Sequence, residues 1–191
     1  VSPDSINISH IYTSDNVYHP QFVLTDYVGC TVSYPTDSII VHALPPLIIK
    51  DTSVCIGHTA TVSLDSNQVS YKWTPYTYLN CDTCQTVIIN APDTVTYHVA
   101  VVNKFGCQAE GDFTLNVEAL PSVNDSATFT SCPGDMFNLN IGYAASMSWS
   151  PPTFLNDSGS VNPVCVPQNS ITYNVNAYNR LGCGVTTTVQ V

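Results

Sequence analysis

Between residues 59 and 64 the chain alternates, with Ala60, Val62 and Leu64 on one side and Thr59, Thr61 and Ser63 on the other. A period of two predicts a half-buried β-strand. The same reading applies to Tyr71 and Trp73, and to Val95, Tyr97, Val99 and Val101 within 94–103. Leu47-Ile48-Ile49, residues 85–89 and residues 113–117 are shorter strand candidates. The series then recurs. Phe137, Leu139 and Ile141 alternate, 171–178 replaces the long strand, and 186–191 closes the chain. Ahead of both series, Ser9-His10-Ile11-Tyr12, Asn16-Val17-Tyr18, 22–26 and 38–42 read as further strands, with Gly29-Cys30 at a turn.

Landmark residues recur with the pattern. Cys55-Ile56-Gly57, Trp73-Thr74-Pro75, Leu79-Asn80, Thr96-Tyr97 and Gly106-Cys107 return as Cys132-Pro133-Gly134, Trp149-Ser150-Pro151, Leu155-Asn156, Thr172-Tyr173 and Gly182-Cys183. So many matched positions at one period predict an array of like units. The expected organisation is an incomplete unit at 1–46, then complete units at 47–119 and 120–191. Leu44-Pro45-Pro46 and Leu120-Pro121 are expected to be short, stiff junctions, because proline restricts the backbone. Six or seven short strands per unit, with turn signals between them, predict an immunoglobulin-like sandwich with Trp73 and Trp149 as core aromatics. A sugar-stacking role for Trp73 is the lesser reading. The fold class is therefore all-β, with Ig-like sandwiches in a row.

Composition supports strands over helices, since Ser, Thr, Asn, Tyr and Val dominate. With 14 Asp and Glu against 4 Lys and Arg, the formal charge of −10 excludes a phosphate-binding footprint. No nucleic-acid partner and no direct membrane insertion are expected, and no apolar run reaches spanning length. No signal peptide is evident, the first residues already lie inside a unit, and 186–191 is a strand. The expectation is a segment of a longer polypeptide.

Eight cysteines imply disulfides and an oxidising compartment. Cys55 precedes the second strand of its unit and Cys107 follows the long one. Taking those ends to lie side by side pairs Cys55 with Cys107, and by the repeat Cys132 with Cys183. Cys81-Asp82-Thr83-Cys84 is a lone CxxC. It lacks the further ligands that zinc needs and a helix start for thioredoxin-like chemistry, so a local Cys81–Cys84 clip is expected. Its absence from the third unit, where Asn156-Asp157-Ser158-Gly159 stands instead, favours a structural role. Cys30 is expected to have its partner outside the segment. Cys165 is either a buried thiol or paired elsewhere.

Two resemblances follow from these motifs. His10-x-Tyr12, Asn16-x-Tyr18, a run ending Thr25-Asp26 and a terminal Ile39-Ile40-Val41 resemble the last three strands of a polycystic-kidney-disease (PKD) type β-sandwich. The order Cys-x-Gly, Trp-Ser/Thr-Pro, Leu-Asn, Thr-Tyr, Gly-Cys resembles the Ig-like and PKD-like repeats of giant Bacteroidetes surface proteins. That likeness implies an adhesin or gliding-motility-associated protein exported by type IX secretion. Asp is followed by Ser or Thr at eight positions, four of which continue with an aliphatic residue. These are similar to the O-glycosylation acceptor motif of such proteins, which makes Ser5, Ser38, Thr94 and Ser126 candidates; turn and strand-entry roles are the plainer reading. Asn7, Asn124 and Asn156 carry the Asn-x-Ser pattern that matters in a eukaryotic secretory pathway.

No phosphate loop, metalloprotease helix or nucleophile elbow is present. Glu110 and Glu118 are the only glutamates, too few for a paired-carboxylate glycosidase. His10 reads as a packed strand residue rather than a ligand, and no repeated Asp cluster marks a calcium site. Neither an enzyme nor a cofactor is expected. Tyr76, Tyr78 and Phe154 form a candidate contact loop, with packing over the end of the sandwich as the plainer reading. The functional expectation is a non-catalytic stalk segment of an extracellular, cell-surface protein. Its partners are neighbouring domains of the same chain, with surface glycans or other surface proteins as further candidates. The alternatives are an accessory Ig-like module of a secreted hydrolase and a glycan-binding module.

Overall fold

The computed structural model describes residues 9–191, and every regular element in it is a β-strand. Residues 16–41 form one long hairpin in two stretches. Strand β1 (Asn16–Tyr18) and β2 (Gln21–Thr25) run up to the turn, and β3 (Thr31–Pro35) and β4 (Ile39–Val41) run back. β2 pairs with β3 and β1 with β4, both antiparallel. Phe22, Val23, Leu24, Val32 and Tyr34 are about half exposed, because residues 9–46 supply no second sheet to cover them.

The second unit comprises β5 (Thr52–Cys55), β6 (Ala60–Ser63), β7 (Ser70–Thr74), β8 (Thr86–Ile89), β9 (Val95–Val102) and β10 (Gln108–Glu118). One sheet has the order β5-β10-β9-β7, and β6 pairs with β8 in the facing layer. β5 runs parallel to β10, while the other pairs are antiparallel. This is the Greek-key order of an Ig-like sandwich. The alternating residues close the core: Trp73, Val87, Ile89, Tyr97, Val99, Phe113 and Leu115 are fully buried. Trp73 packs edge-on against Tyr97 and Phe113, at centroid separations of 6.4 and 6.3 Å, within the preferred range for aromatic pairs.

The third unit repeats the plan with shorter strands: β11 (Ser122–Val123), β12 (Ala127–Thr128), β13 (Phe137–Asn138), β14 (Gly142–Tyr143), β15 (Ser146–Ser150), β16 (Val164–Cys165), β17 (Thr172–Tyr178) and β18 (Gly184–Gln190). The main sheet is β12-β18-β17-β15, again with a parallel first pair, and β11-β14 and β13-β16 complete the unit. Leu139, Ile141, Trp149, Tyr173, Val175 and Val189 line a core separate from that of the second unit.

Candidate functional site

The landmarks of the repeat have two distinct tasks, one inside each unit and one between units. Inside the unit they seat the tryptophan. The Trp73 indole donates from Nε1 to the Cys84 carbonyl at 3.0 Å, and its backbone N–H donates to the Asp82 carbonyl at 2.8 Å. Both acceptors lie in the segment that the Cys81–Cys84 disulfide clips. In the third unit Trp149 donates in the same way to the Ser160 and Ser158 carbonyls. There an Asx turn, with Gly159 N–H donating to Asp157 Oδ1 at 2.8 Å, shapes the loop in place of the disulfide. Asn80 Oδ1 and Asn156 Oδ1 each accept a backbone N–H at 2.7 Å, from Ile88 and Val164. The hydroxyls of Tyr97 and Tyr173 donate to the Thr77 and Thr153 carbonyls. Every buried polar group brought in by these aromatics is thereby satisfied, as burial requires.

Between units the working element is the turn of the long hairpin. Asn103 Oδ1 accepts the N–H groups of Phe105 and Cys107, each at 3.0 Å, and Gly106 takes φ of +82°. Asn179 Oδ1 holds Leu181 and Cys183 identically, with Gly182 at φ +90°. In the first hairpin Asp26 Oδ1 does the same for Val28 and Cys30, with Gly29 at φ +91°. Three turns therefore share one geometry, and glycine is needed where φ is positive.

The asparagines carry a donor that Asp26 lacks. Asn103 Nδ2 donates to the Ala43 carbonyl at 3.0 Å, and Asn179 Nδ2 donates to the Ala119 carbonyl at 2.8 Å. Each turn thus clasps the backbone one or two residues past the last strand of the unit before it. At the first junction the His42 and Phe105 rings also stack, 3.5 Å apart and nearly parallel. A groove of about 670 Å³ opens there, lined by Asn16, Ile40, Leu44, Asn67 and Phe105 among others.

Cys55, Cys107 and Cys183 lie at these junctions. The expected pairs Cys55–Cys107 and Cys132–Cys183 do not form; Cys55 is bonded to Cys183 of the following unit, with a Cα–Cα distance of 5.5 Å. The reason is the direction of β5. It runs parallel to β10, which places Cys55 opposite Glu118, at the far end of an 11-residue strand from Cys107. At about 3.3 Å per residue that is roughly 35 Å, whereas a disulfide needs Cα atoms within about 7 Å. Likewise β12 is in register with the end of β18, Thr128 opposite Gln190, so Cys132 lies beyond the end of the strand that Cys183 precedes. Cys30, Cys107, Cys132 and Cys165 are free. Cys165 is fully buried, and its bridge to Leu155 matches the Ile89 bridge to Leu79. It fills a core position, as unpaired cysteine commonly does.

Among solved structures, this chain is similar to several multidomain proteins. An insect immune protein, hemolin, is 12% identical over 77% of this chain and 45% of its own, with a TM-score of 0.45. The two Ig domains of DIP-gamma are 12% identical over 77% of this chain and 94% of theirs, at 0.48. Domains A168–A170 of titin are 13% identical over 93% of this chain and 74% of theirs, also at 0.48. The chain thus spans less than half the length of hemolin. No protein-family model matches the chain, and no curated protein matches it.

The remaining candidate residues stand apart from the junctions. Tyr76 is 75% exposed and Tyr78 51%, while Phe154 is half-buried against the third core. Tyr78 and Phe154 share a left-handed backbone, φ +65° and +67°, and their carbonyls accept from Asn90 and Val166. The loop is therefore pinned in the same shape in both units. Ser38, Thr94 and Ser126 are exposed, and Ser5 lies outside the described residues. Thr94 Oγ1 accepts from Val117 N–H at 3.0 Å, which ties its loop to β10. His10 edges onto Tyr12 at 4.6 Å.

One titratable group was missed by sequence reasoning. His98 sits between Asp112, 2.9 Å from Nδ1, and Glu110, 3.4 Å from Nε2, on the outer face of β9 and β10. The Asp112 hydrogen bond holds its pKa above the ordinary 6.5. Alternation in 94–103 places His98 on the outer face, but Glu110 and Asp112 precede the strand expected at 113–117, and their meeting with His98 depends on the register of β10 against β9. Lys72 likewise pairs with Asp82 and lowers the pKa of that carboxyl, first by hydrogen bonding.

Proposed function

We propose that the chain is a non-catalytic spacer segment of a large extracellular, cell-surface protein, in which units at 1–46, 47–119 and 120–191 stand in a stiff row. The observation that carries this reading is the Cys55–Cys183 bond between consecutive units. Two sandwiches joined by a peptide linker alone pivot about it. A second covalent connection beside the linker removes most of that freedom, and the Asn179 clasp and Pro121 restrict what is left. Disulfides persist where the surroundings are oxidising, which favours the cell exterior. The motif resemblance points further, to an adhesin or a gliding-motility-associated protein exported by type IX secretion and O-glycosylated at the exposed Ser38, Thr94 and Ser126. Its partners are neighbouring units of the same chain and other surface molecules.

Small-angle X-ray scattering tests the spacer reading. The oxidised chain is expected to scatter as an elongated particle with a narrow set of inter-unit distances, and Cys55→Ser is expected to broaden that set. Oxidised protein that scatters as freely hinged units would overturn the reading. Exposed Tyr76 and Tyr78 favour a second role in contact with a glycan or protein. It predicts weak binding of the oxidised chain on a glycan array that is lost in Tyr76→Ala; equal binding by both chains removes it.

A further inference from the structure

We infer that Cys132 is one half of a further junction, and that the end face around it receives a sandwich unit whose hairpin turn reads Asn-x-x-Gly-Cys. The pairing rule is general for the row: the Cys-x-Gly cysteine of each unit bonds to the Gly-Cys cysteine of the next. This concerns which thiols pair and holds whatever the row displays.

Four observations carry it. First, the one inter-unit bond present, Cys55–Cys183, joins these two landmark types. Second, Cys132 lies in the same turn as Cys55. The Cys55 carbonyl accepts from His58 N–H at 3.0 Å and the Cys132 carbonyl from Asp135 N–H at 3.1 Å; Gly57 and Gly134 take φ of +80° and +89°. Third, the Cys132 turn is held in place without a partner. Its N–H donates to Asp135 Oδ2 at 3.0 Å, and Gly134 N–H donates to the Pro167 carbonyl at 2.7 Å. Its thiol is nevertheless free and exposed.

Fourth, the complementary half also stands unpaired, at the first junction. Cys107 occupies a turn that matches that of Cys183, and Asn103 clasps Ala43 as Asn179 clasps Ala119. The Ala119 carbonyl follows Glu118, the residue that Cys55 faces across the parallel ladder. The matching place at the first junction is beside His42, and Cys107 Sγ already lies 3.8 Å from the His42 carbonyl oxygen. A strand running along β4 as β5 runs along β10 would bring its cysteine there. Forming each bond removes two thiol hydrogens and two electrons, which a disulfide-exchange partner such as oxidised glutathione accepts.

The test lengthens the row by one unit. Val191 corresponds to Leu115, so residues 116–191 appended after Val191 regenerate the second junction in full. After refolding in a glutathione redox buffer, disulfide mapping is expected to find Cys132 bonded to the appended copy of Cys183, with Cys55–Cys183 retained. Cys132 should lose its reactivity to iodoacetamide, and the appended copy of Cys132 should keep its own. Cys132 still alkylated beside an intact Cys55–Cys183 bond, or the appended Cys183 bonded within its own unit, would overturn the rule. A Cys183→Ser variant of the unextended chain gives a second test that needs no added unit. Cys55 and Cys132 should both remain alkylatable in it, whereas a Cys55–Cys107 bond would show that these cysteines pair within units.

Discussion

Removing the Trp73 indole leaves a void at the centre of a small core and strands the carbonyl of Cys84 without its donor. Large-to-small changes of this kind cost about 3–5 kcal/mol, a large part of the net stability of a small domain. Trp73→Ala is therefore expected to unfold residues 47–119, while the separate core around Trp149 keeps the third unit folded; Trp149 fluorescence and amide exchange report each unit by itself. His98 gives a prediction with a pH sign. Its folded pKa is raised, so its ion pairs add stability that is complete below the unfolded value of 6.5 and is lost as pH rises through the folded value. Wild type should melt above Asp112→Asn just below pH 6.5, and the two should converge at alkaline pH. NMR titration of the imidazole should show a lower pKa in the variant. Cys165, buried and 3.5 Å from the Tyr173 hydroxyl, should resist alkylation until the third unit opens, whereas Cys132 reacts at once.

At the scale of elements, two chemistries do one job. The Trp73 loop is held by a disulfide that closes three residues, and the Trp149 loop by the Asp157 side chain. The chain-entropy relation gives the clip about 1.5 kcal/mol, and the Asx hydrogen bond contributes about 1 kcal/mol. A Cys81→Ser, Cys84→Ser double variant should lower the unfolding free energy of the second unit, read from chemical denaturation, by about that amount and leave the third untouched. The hairpin turns allow a cleaner separation. Asn179→Asp keeps the Oδ1 acceptor for Leu181 and Cys183 but loses the Nδ2 donor to Ala119. Its unit should melt as wild type does, and only the distribution of inter-unit angles should widen. Asp26 shows that the turn itself tolerates the carboxylate.

Across the whole molecule, the Cys55–Cys183 bond spans a sequence separation of 128 residues and changes the path that force takes. Tension entering the second unit at Leu47 reaches Cys55, crosses the bond and leaves along β18. Residues 56–182 are then shielded, including both tryptophan cores. In single-molecule pulling, reduction should add roughly 450 Å of contour length, the extended length of the enclosed segment at about 3.5 Å per residue. An oxidised chain that already extends to its full contour would place the bond elsewhere.

Most strand positions, the core face, the core place of each tryptophan and the two-fold repeat were legible along the chain, because each depends on neighbours a few residues apart or on a period that recurs; Leu47-Ile48-Ile49 and residues 9–12, expected as strands, lie outside any strand, and the first strand of the second unit runs over Thr52–Cys55 instead. The local clip was legible for the same reason, since only two residues lie between its cysteines. The long-range cysteine pairs were not. Their spacing is the same whether they bond within a unit or across a junction, and the choice rests on which end of the sandwich each one occupies. Parallel pairing of β5 with β10 carries Cys55 to the end facing the next unit, and the hairpin turn carries Cys183 to the end facing the previous one. Periodicity reports which face of a strand a residue occupies but is silent on strand direction and neighbour, so the connection between units emerges only once the sheet is assembled.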